Sequence, residues 1–246
     1  LGRHTAYDHF IDEDKYVPGL AQLANCIKAQ GARAVLNINH GGRRAGKVVN
    51  GRLEFTNGKI PVAPSSIAHF EPGFVVPRAL TIDEIEEIID KFVVAARRAK
   101  EAGFDGVCIH CSHAYLINQF LSPSSNRRDD EYGGDFEGRM RFLLRIIEGI
   151  QKEVGPSYPL LCRISGEEPF EGGLSLEDMK RVAHRLEEAG IAAFVLSRGA
   201  AAPPAATSKF VASVAPMRIP RGCLVYLAEG IKQAVRVPVA AANRIN

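Results

Sequence analysis

An α/β fold is predicted by three observations. Short apolar runs of strand length alternate with helical patterns along the chain. The strand-like runs show little polar alternation, as strands covered on both faces do. A chain of 246 residues, 46% hydrophobic and 24% charged, can also bury one large core.

The elements follow in order. An apolar stripe over residues 20–27 marks a first helix. Residues 34–39 (AVLNIN) mark the first strand, which ends in Asn37, Asn39 and His40 before a glycine-rich turn and two arginines. Residues 41–80, rich in Gly, Pro, Asn and Ser, read as a long loop. Thr81 and Glu84 then have capping-box spacing, and Ile85, Ile88, Ile89, Phe92, Ala96 and Ala99 keep a helical period until Gly103 stops it. The second strand is 106–110. A loop and a helix with the stripe Phe136, Met140, Leu143, Ile147, Ile150 and Val154 lead from it to the third strand, 160–165 (LLCRIS). A helix beginning near Ser175 presents Leu176, Met179, Val182, Ala183, Leu186 and Ala189, ahead of a fourth strand at 191–197. A second long loop, 199–220, contains AAAPPAATS; a stripe over 224–235 and a strand at 237–242 close the series.

Repeated βα units leave two architectures, a closed barrel or an open doubly wound sheet. No strand is followed by GxGxxG and no GxxxxGK[ST] occurs, so the phosphate-binding marks of the open sheets are missing. The prediction is therefore a (β/α)8 TIM barrel, one domain spanning residues 1–246. Five countable strands of eight make it incomplete, and with a start at Leu1 and a stop at Asn246 directly after a strand, both ends look cut. The loops 41–80 and 199–220 both follow strands, which puts them on the catalytic face as lids or substrate-binding segments.

Composition excludes several partners. A net charge of +3, evenly spread, predicts neither a nucleic-acid nor a membrane partner, no apolar run approaches the roughly 18 residues that span a bilayer, and the first residues lack a signal-peptide core. The five cysteines are odd in number and mostly inside apolar runs, which argues against a disulfide framework and for a reducing compartment, the cytoplasm. Cys108 and Cys111 form a lone CxxC. A zinc site needs a second pair and haem attachment needs a histidine where Ser112 stands, so no metal is expected.

The chemistry gathers at strand ends. His110, His113 and Tyr115 leave the second strand together; two neutral imidazoles converging on a carbonyl oxygen would stabilise the enolate formed when hydride adds to a conjugated carbon, and the phenol could supply a proton. The competing reading of these residues is structural. Arg163 stands inside an apolar strand, where a buried guanidinium needs an anion: a bound ligand or a buried carboxylate. The amides of Asn37 and Asn39 suit the edge of a heterocycle. His40 before two glycines has the look of a hydrolase oxyanion loop, but no GxSxG elbow exists.

The run HCSHAYLINQFLSPSSNRRDDEYGGDFEGRMRFLLRIIEGI resembles the most distinctive segment of the Old Yellow Enzyme family of flavin-dependent barrels. The likeness extends through LNINHGGR, PVAPSSI, LLCRIS and PRGCLVYLAEGIKQAVRVPVAAANRIN, nearly the whole chain, and is strongest to the subgroup of 2,4-dienoyl-CoA reductase, enoate reductases and bile-acid flavoenzymes. The resemblance implies an FMN-binding barrel that takes hydride from NADH or NADPH and passes it to the C=C bond of a small unsaturated carbonyl compound. It implies that His110 and His113 hold the carbonyl oxygen, that Tyr115 gives the proton, and that Arg163 lies beside the flavin pyrimidine. It places Asn243 and Arg244 at the FMN phosphate and Asn37 at the flavin edge, where the family usually carries a longer glutamine. Ala114 replaces a glycine, and no histidine follows the fourth strand, so Tyr115 is the one clear donor. Iron-sulfur (4Fe-4S) and FAD sites of larger relatives would lie outside this sequence, and a homo-oligomer stays open. Two other readings compete: a flavin-free barrel lyase or isomerase using the same three residues, and a non-catalytic barrel remnant.

Overall fold

Five strands build one sheet: β1 (Val35–Ile38), β2 (Gly106–Cys111), β3 (Leu160–Ser165), β4 (Ala193–Ser197) and β5 (Val239–Ala241). This computed structural model describes residues 10–49, 52–53, 59–198, 220–243 and 245. Every pairing in the sheet is parallel, and the strands lie side by side in chain order. A doubly wound sheet reverses its order at a switch point, whereas consecutive βα units of a barrel do not. The unreversed order makes this five-stranded arc barrel architecture.

Among the described residues six helices accompany the strands: α1 (Val17–Lys28), α2 (Ile82–Glu101), α3 (Leu116–Leu121), α4 (Phe136–Val154), α5 (Leu176–Glu188) and α6 (Val225–Ala234). Their starts are chemically specified. At α2 the Glu84 N–H donates to the Thr81 hydroxyl (3.2 Å) and the Thr81 N–H donates to the Glu84 carboxylate (2.9 Å), a reciprocal pair that satisfies two otherwise orphaned donors. Ser175 and Asp178 repeat it at α5, and Asp135 caps α4 by accepting from the Gly138 N–H at 2.9 Å.

Strand geometry sends alternate side chains to opposite faces. One set, Ile38, Val107, Ile109, Cys111, Leu160, Cys162, Ile164, Phe194 and Leu196, is buried against Ile85, Ile89, Phe92, Met140, Leu143, Ile147, Val182 and Leu186 of the helices. The other face is only partly covered: Val35 is 40% exposed, and Leu161, Arg163 and Val195 are half-buried. The expectation of strands covered on both faces holds for β2, all six of whose residues are buried, and fails at the edge strand β1. The apolar runs reflect two different surroundings, a helix layer outside and the concave inner face of an arc.

One further expectation changes, and one element is new. The segment 41–80 is not plain loop: Gly42–Ala45 forms a 3-10 turn, Val48–Val49 pairs antiparallel with Arg52–Leu53, and Val62–Ala63 pairs parallel with Arg78–Ala79. Helix α3 is absent from the sequence reading because all six of its residues are buried, which erases amphipathic period. The predicted loop 199–220 lies, apart from Pro220, outside the described residues. Among the described residues no helix is long and apolar enough to cross a membrane.

Candidate active site

Register places the polar groups of the inner face. In a parallel sheet paired residues share a face, and Asn37 pairs with Cys108 while His110 pairs with Arg163 and Arg163 with Val195. Asn37, Cys108, His110 and Arg163 therefore lie on one side of the sheet. Cys111 lies on the other, its sulfur 3.9 Å from that of Cys162, so the CxxC pair is divided between two faces. Burial pushes the Cys108 thiol up to about 12.

Beyond β2 the chain turns sharply. His113 and Ala114 both take left-handed conformations, with φ of 59° and 56°. Each such non-glycine residue costs about 1–2 kcal/mol, so the surroundings must hold the turn. All four of its backbone polar groups are gripped by side chains. The His113 N–H donates to Ser165 Oγ (3.3 Å) and its carbonyl accepts from Arg44 (3.0 Å). The Ala114 N–H donates to Asn118 Oδ1 (2.7 Å) and its carbonyl accepts from Gln119 Nε2 (2.6 Å). Gln119 packs so closely on Gly42 that a Cβ there would lie 2.5 Å from its amide nitrogen, which explains the second glycine of the HGG turn.

The turn brings three rings together. The ring centres of His110 and His113 are 5.1 Å apart, those of His110 and Tyr115 5.0 Å, and those of His113 and Tyr115 6.3 Å. His113 Nε2 is 2.7 Å from Ser197 Oγ at the end of β4. Asn37 Nδ2 is 3.2 Å from His110 Nδ1. The Arg44 guanidinium lies over the Tyr115 ring, 5.4 Å from its centre, a cation–π contact that puts positive charge beside the phenol.

Among the described residues no carboxylate forms a salt bridge with Arg163. Its Nε is buried without a hydrogen-bond partner among the described residues, an unmet donor that costs about 1–3 kcal/mol. Asn243, just past β5, is left-handed (φ 75°) and donates to Ser197 Oγ at 3.4 Å. Arg244 lies outside the described residues. Asn39 is exposed, and the His40 ring turns back to accept from the Gly42 N–H at 3.1 Å.

Further residues, silent in the sequence, brace the site. Buried Glu168 follows β3, accepts from Ser122 Oγ (2.5 Å) and from the Leu174 N–H (3.0 Å), and has its carboxyl pushed up by burial. It thereby fixes the end of α3, the helix that carries Asn118 and Gln119. Glu167 pairs with Arg198 at 3.0 Å and accepts from the Tyr226 hydroxyl at 2.7 Å, joining the ends of β3 and β4 to α6. The one available signal was two amides, Asn118 and Gln119, in an apolar hexapeptide.

Replacing Ala114 with glycine is expected to stabilise the protein. Relief of the left-handed strain, about 1–2 kcal/mol, outweighs glycine's greater unfolded freedom, about 0.4–1 kcal/mol. Tm should rise by about 1–4 °C for a chain of this size. A lower Tm by calorimetry would mean that the buried methyl group is a packing contact worth more than the strain.

A parallel arc of barrel type thus carries two imidazoles and a phenol at one strand end, with Arg163 on the same face of the sheet. The sequence signature of the NADH:flavin oxidoreductase / NADH oxidase family spans residues 2–246, and the chain belongs to that family. Over 238 residues it is 44% identical to an NADH oxidase of Thermoanaerobacter brockii, covering 97% of this chain and 35% of that protein. It is 38% identical to an NADPH dehydrogenase of Geobacillus sp. (strain WCH70), covering 99% of this chain and 65% of the relative. Among solved structures, a 2-naphthoyl-CoA reductase complexed with 2-naphthoyl-CoA superposes with a TM-score of 0.86 at 31% identity over 100% of this chain and 37% of the other. A morphinone reductase in complex with tetrahydroNAD superposes with a TM-score of 0.75 at 28% identity, over 100% of this chain and 65% of the other. The chain thus spans between about a third and two thirds of the length of these relatives.

Proposed function

We propose that residues 1–246 belong to one FMN-binding barrel domain that reduces the C=C bond of an α,β-unsaturated carbonyl compound at the expense of NADH or NADPH. The observation that carries this reading is the convergence of His110, His113 and Tyr115 on the face that bears Arg163. Bound FMN supplies the hydride chemistry; the protein's own groups do the rest. His110 and His113 donate hydrogen bonds to the substrate's carbonyl oxygen and stabilise the charge that develops there. Tyr115 gives a proton to the carbon next to the carbonyl, helped by the Arg44 charge over its ring, which favours negative charge on the phenol oxygen.

The cofactor assignments rest on fit. Arg163, with its unpartnered Nε, suits the electron-rich edge of a flavin. Asn37 lies on the same face, and the segment that the family resemblance assigns to the phosphate begins at Asn243. Relatives acting on an aryl-CoA thioester and on morphinone support a substrate range from acyl thioesters to polycyclic enones, and within it we place the chain nearest the dienoyl-CoA and enoate reductases.

The test is spectroscopic. The full chain should take up FMN with a change in its visible spectrum, bleach with NADH or NADPH under anaerobic conditions, and regain colour when an enone is added. A protein that neither carries flavin nor binds added FMN would overturn the reading.

A further inference from the structure

We infer that Asn37 is a positioning residue for His110: its amide holds the imidazole proton on Nε2, which makes that nitrogen the donor to the substrate oxygen. The inference rests on the reading of His110 as an oxyanion donor. Asn37 pairs with Cys108, two residues before His110 on the same face, and so reaches the ring from the neighbouring strand. Its Nδ2 lies 3.2 Å from His110 Nδ1. In this orientation the amide NH2 donates and Nδ1 offers its lone pair, and a neutral imidazole with a lone pair on Nδ1 carries its proton on Nε2.

The opposite nitrogen, Nε2, lies 3.4 Å from Ser112 Oγ, beyond the usual range of about 2.7–3.2 Å. A carbonyl oxygen gaining negative charge is the stronger acceptor and would displace that contact. The amide at position 37 thus has a task besides meeting the flavin edge. Other ionisable groups near the ring are His113, Tyr115, Cys108 on its own strand, and Arg163 beside it in register. None of them is the Nδ1 partner in that contact.

Asn37→Asp inverts the demand on the ring. A carboxylate only accepts, so it calls for a proton on Nδ1. The full chain, labelled with ¹⁵N-histidine, should show His110 as the Nε2–H form in two-bond ¹⁵N–¹H spectra, with its signals assigned by their loss in His110→Gln. In Asn37→Asp the ring should change to Nδ1–H and its titration should move up by about 1–3 units, as expected beside an opposite charge. Asn37→Leu, which offers neither donor nor acceptor, should give a mixture. Reduction of an enone should fall at least about tenfold in Asn37→Asp, a loss of roughly 1.4 kcal/mol. An Nδ1–H ring in the unaltered protein, or one unmoved by both substitutions, overturns the inference. If Asn37→Leu fails to fold, the isosteric aspartate variant still decides. Should the spectra behave as expected while no variant, nor the unaltered protein, reduces any enone, the positioning role stands and the proposed reaction falls.

Discussion

Phenylalanine at position 115 is expected to slow reoxidation of the reduced protein by an enone about 10²- to 10⁴-fold, the usual contribution of a placed general acid, and to leave reduction by NAD(P)H nearly unchanged. The expectation follows from how Tyr115 is held. It is buried, its ring packs 5.0 Å from His110, and the Arg44 guanidinium covers it. Phenylalanine fills the same volume and keeps the cation–π contact, so only the acidic hydroxyl is removed. Stopped-flow measurement of the two half-reactions separates the roles. Equal losses in both would move Tyr115 from proton donation to folding or flavin binding.

Alanine at His110 or His113 is expected to lower the same oxidative half-reaction by about 10²- to 10³-fold, or roughly 2.7–4 kcal/mol, if each donates to the oxyanion. The two sites should differ in stability. His113 also contacts Ser197 Oγ at 2.7 Å and sits within the strained turn. Its loss should therefore lower Tm as well as rate, while His110 should act mainly on rate. The double variant should be less than multiplicatively impaired, because two donors to one oxygen act as a unit. Single variants with full enone turnover would return both histidines to a structural role.

Much of the scaffold is legible in the sequence because it is specified locally. Thr81 with Glu84 and Ser175 with Asp178 mark helix starts through contacts three residues apart, and the stripe from Phe136 to Val154 is α4 itself. The third strand, 160–165, is found with its bounds intact. The histidines and Tyr115 are legible too, from residue type at a strand end. What the sequence hides is long-range: Ser197 meets His113 across 84 positions, Arg44 meets its carbonyl across 69, and Asn37 meets His110 across 73. A serine at a strand end has no periodicity to announce it. The left-handed Ala114 could be suspected only against a glycine expected there, and α3 only by discounting amphipathic period. The segment 41–80 looks unstructured because its pairings are two residues long.

The turn at His113 and Ala114 is clasped from three quarters of the molecule: the segment after β1 through Arg44, the end of β3 through Ser165, and α3 through Asn118 and Gln119. Its shape is consequently a property of assembly and not of the tetrapeptide that bears it. The three rings are set only when these distant parts of the chain have docked, so their arrangement depends on each of these contacts. A peptide copied from this loop alone would inherit the side chains without their arrangement.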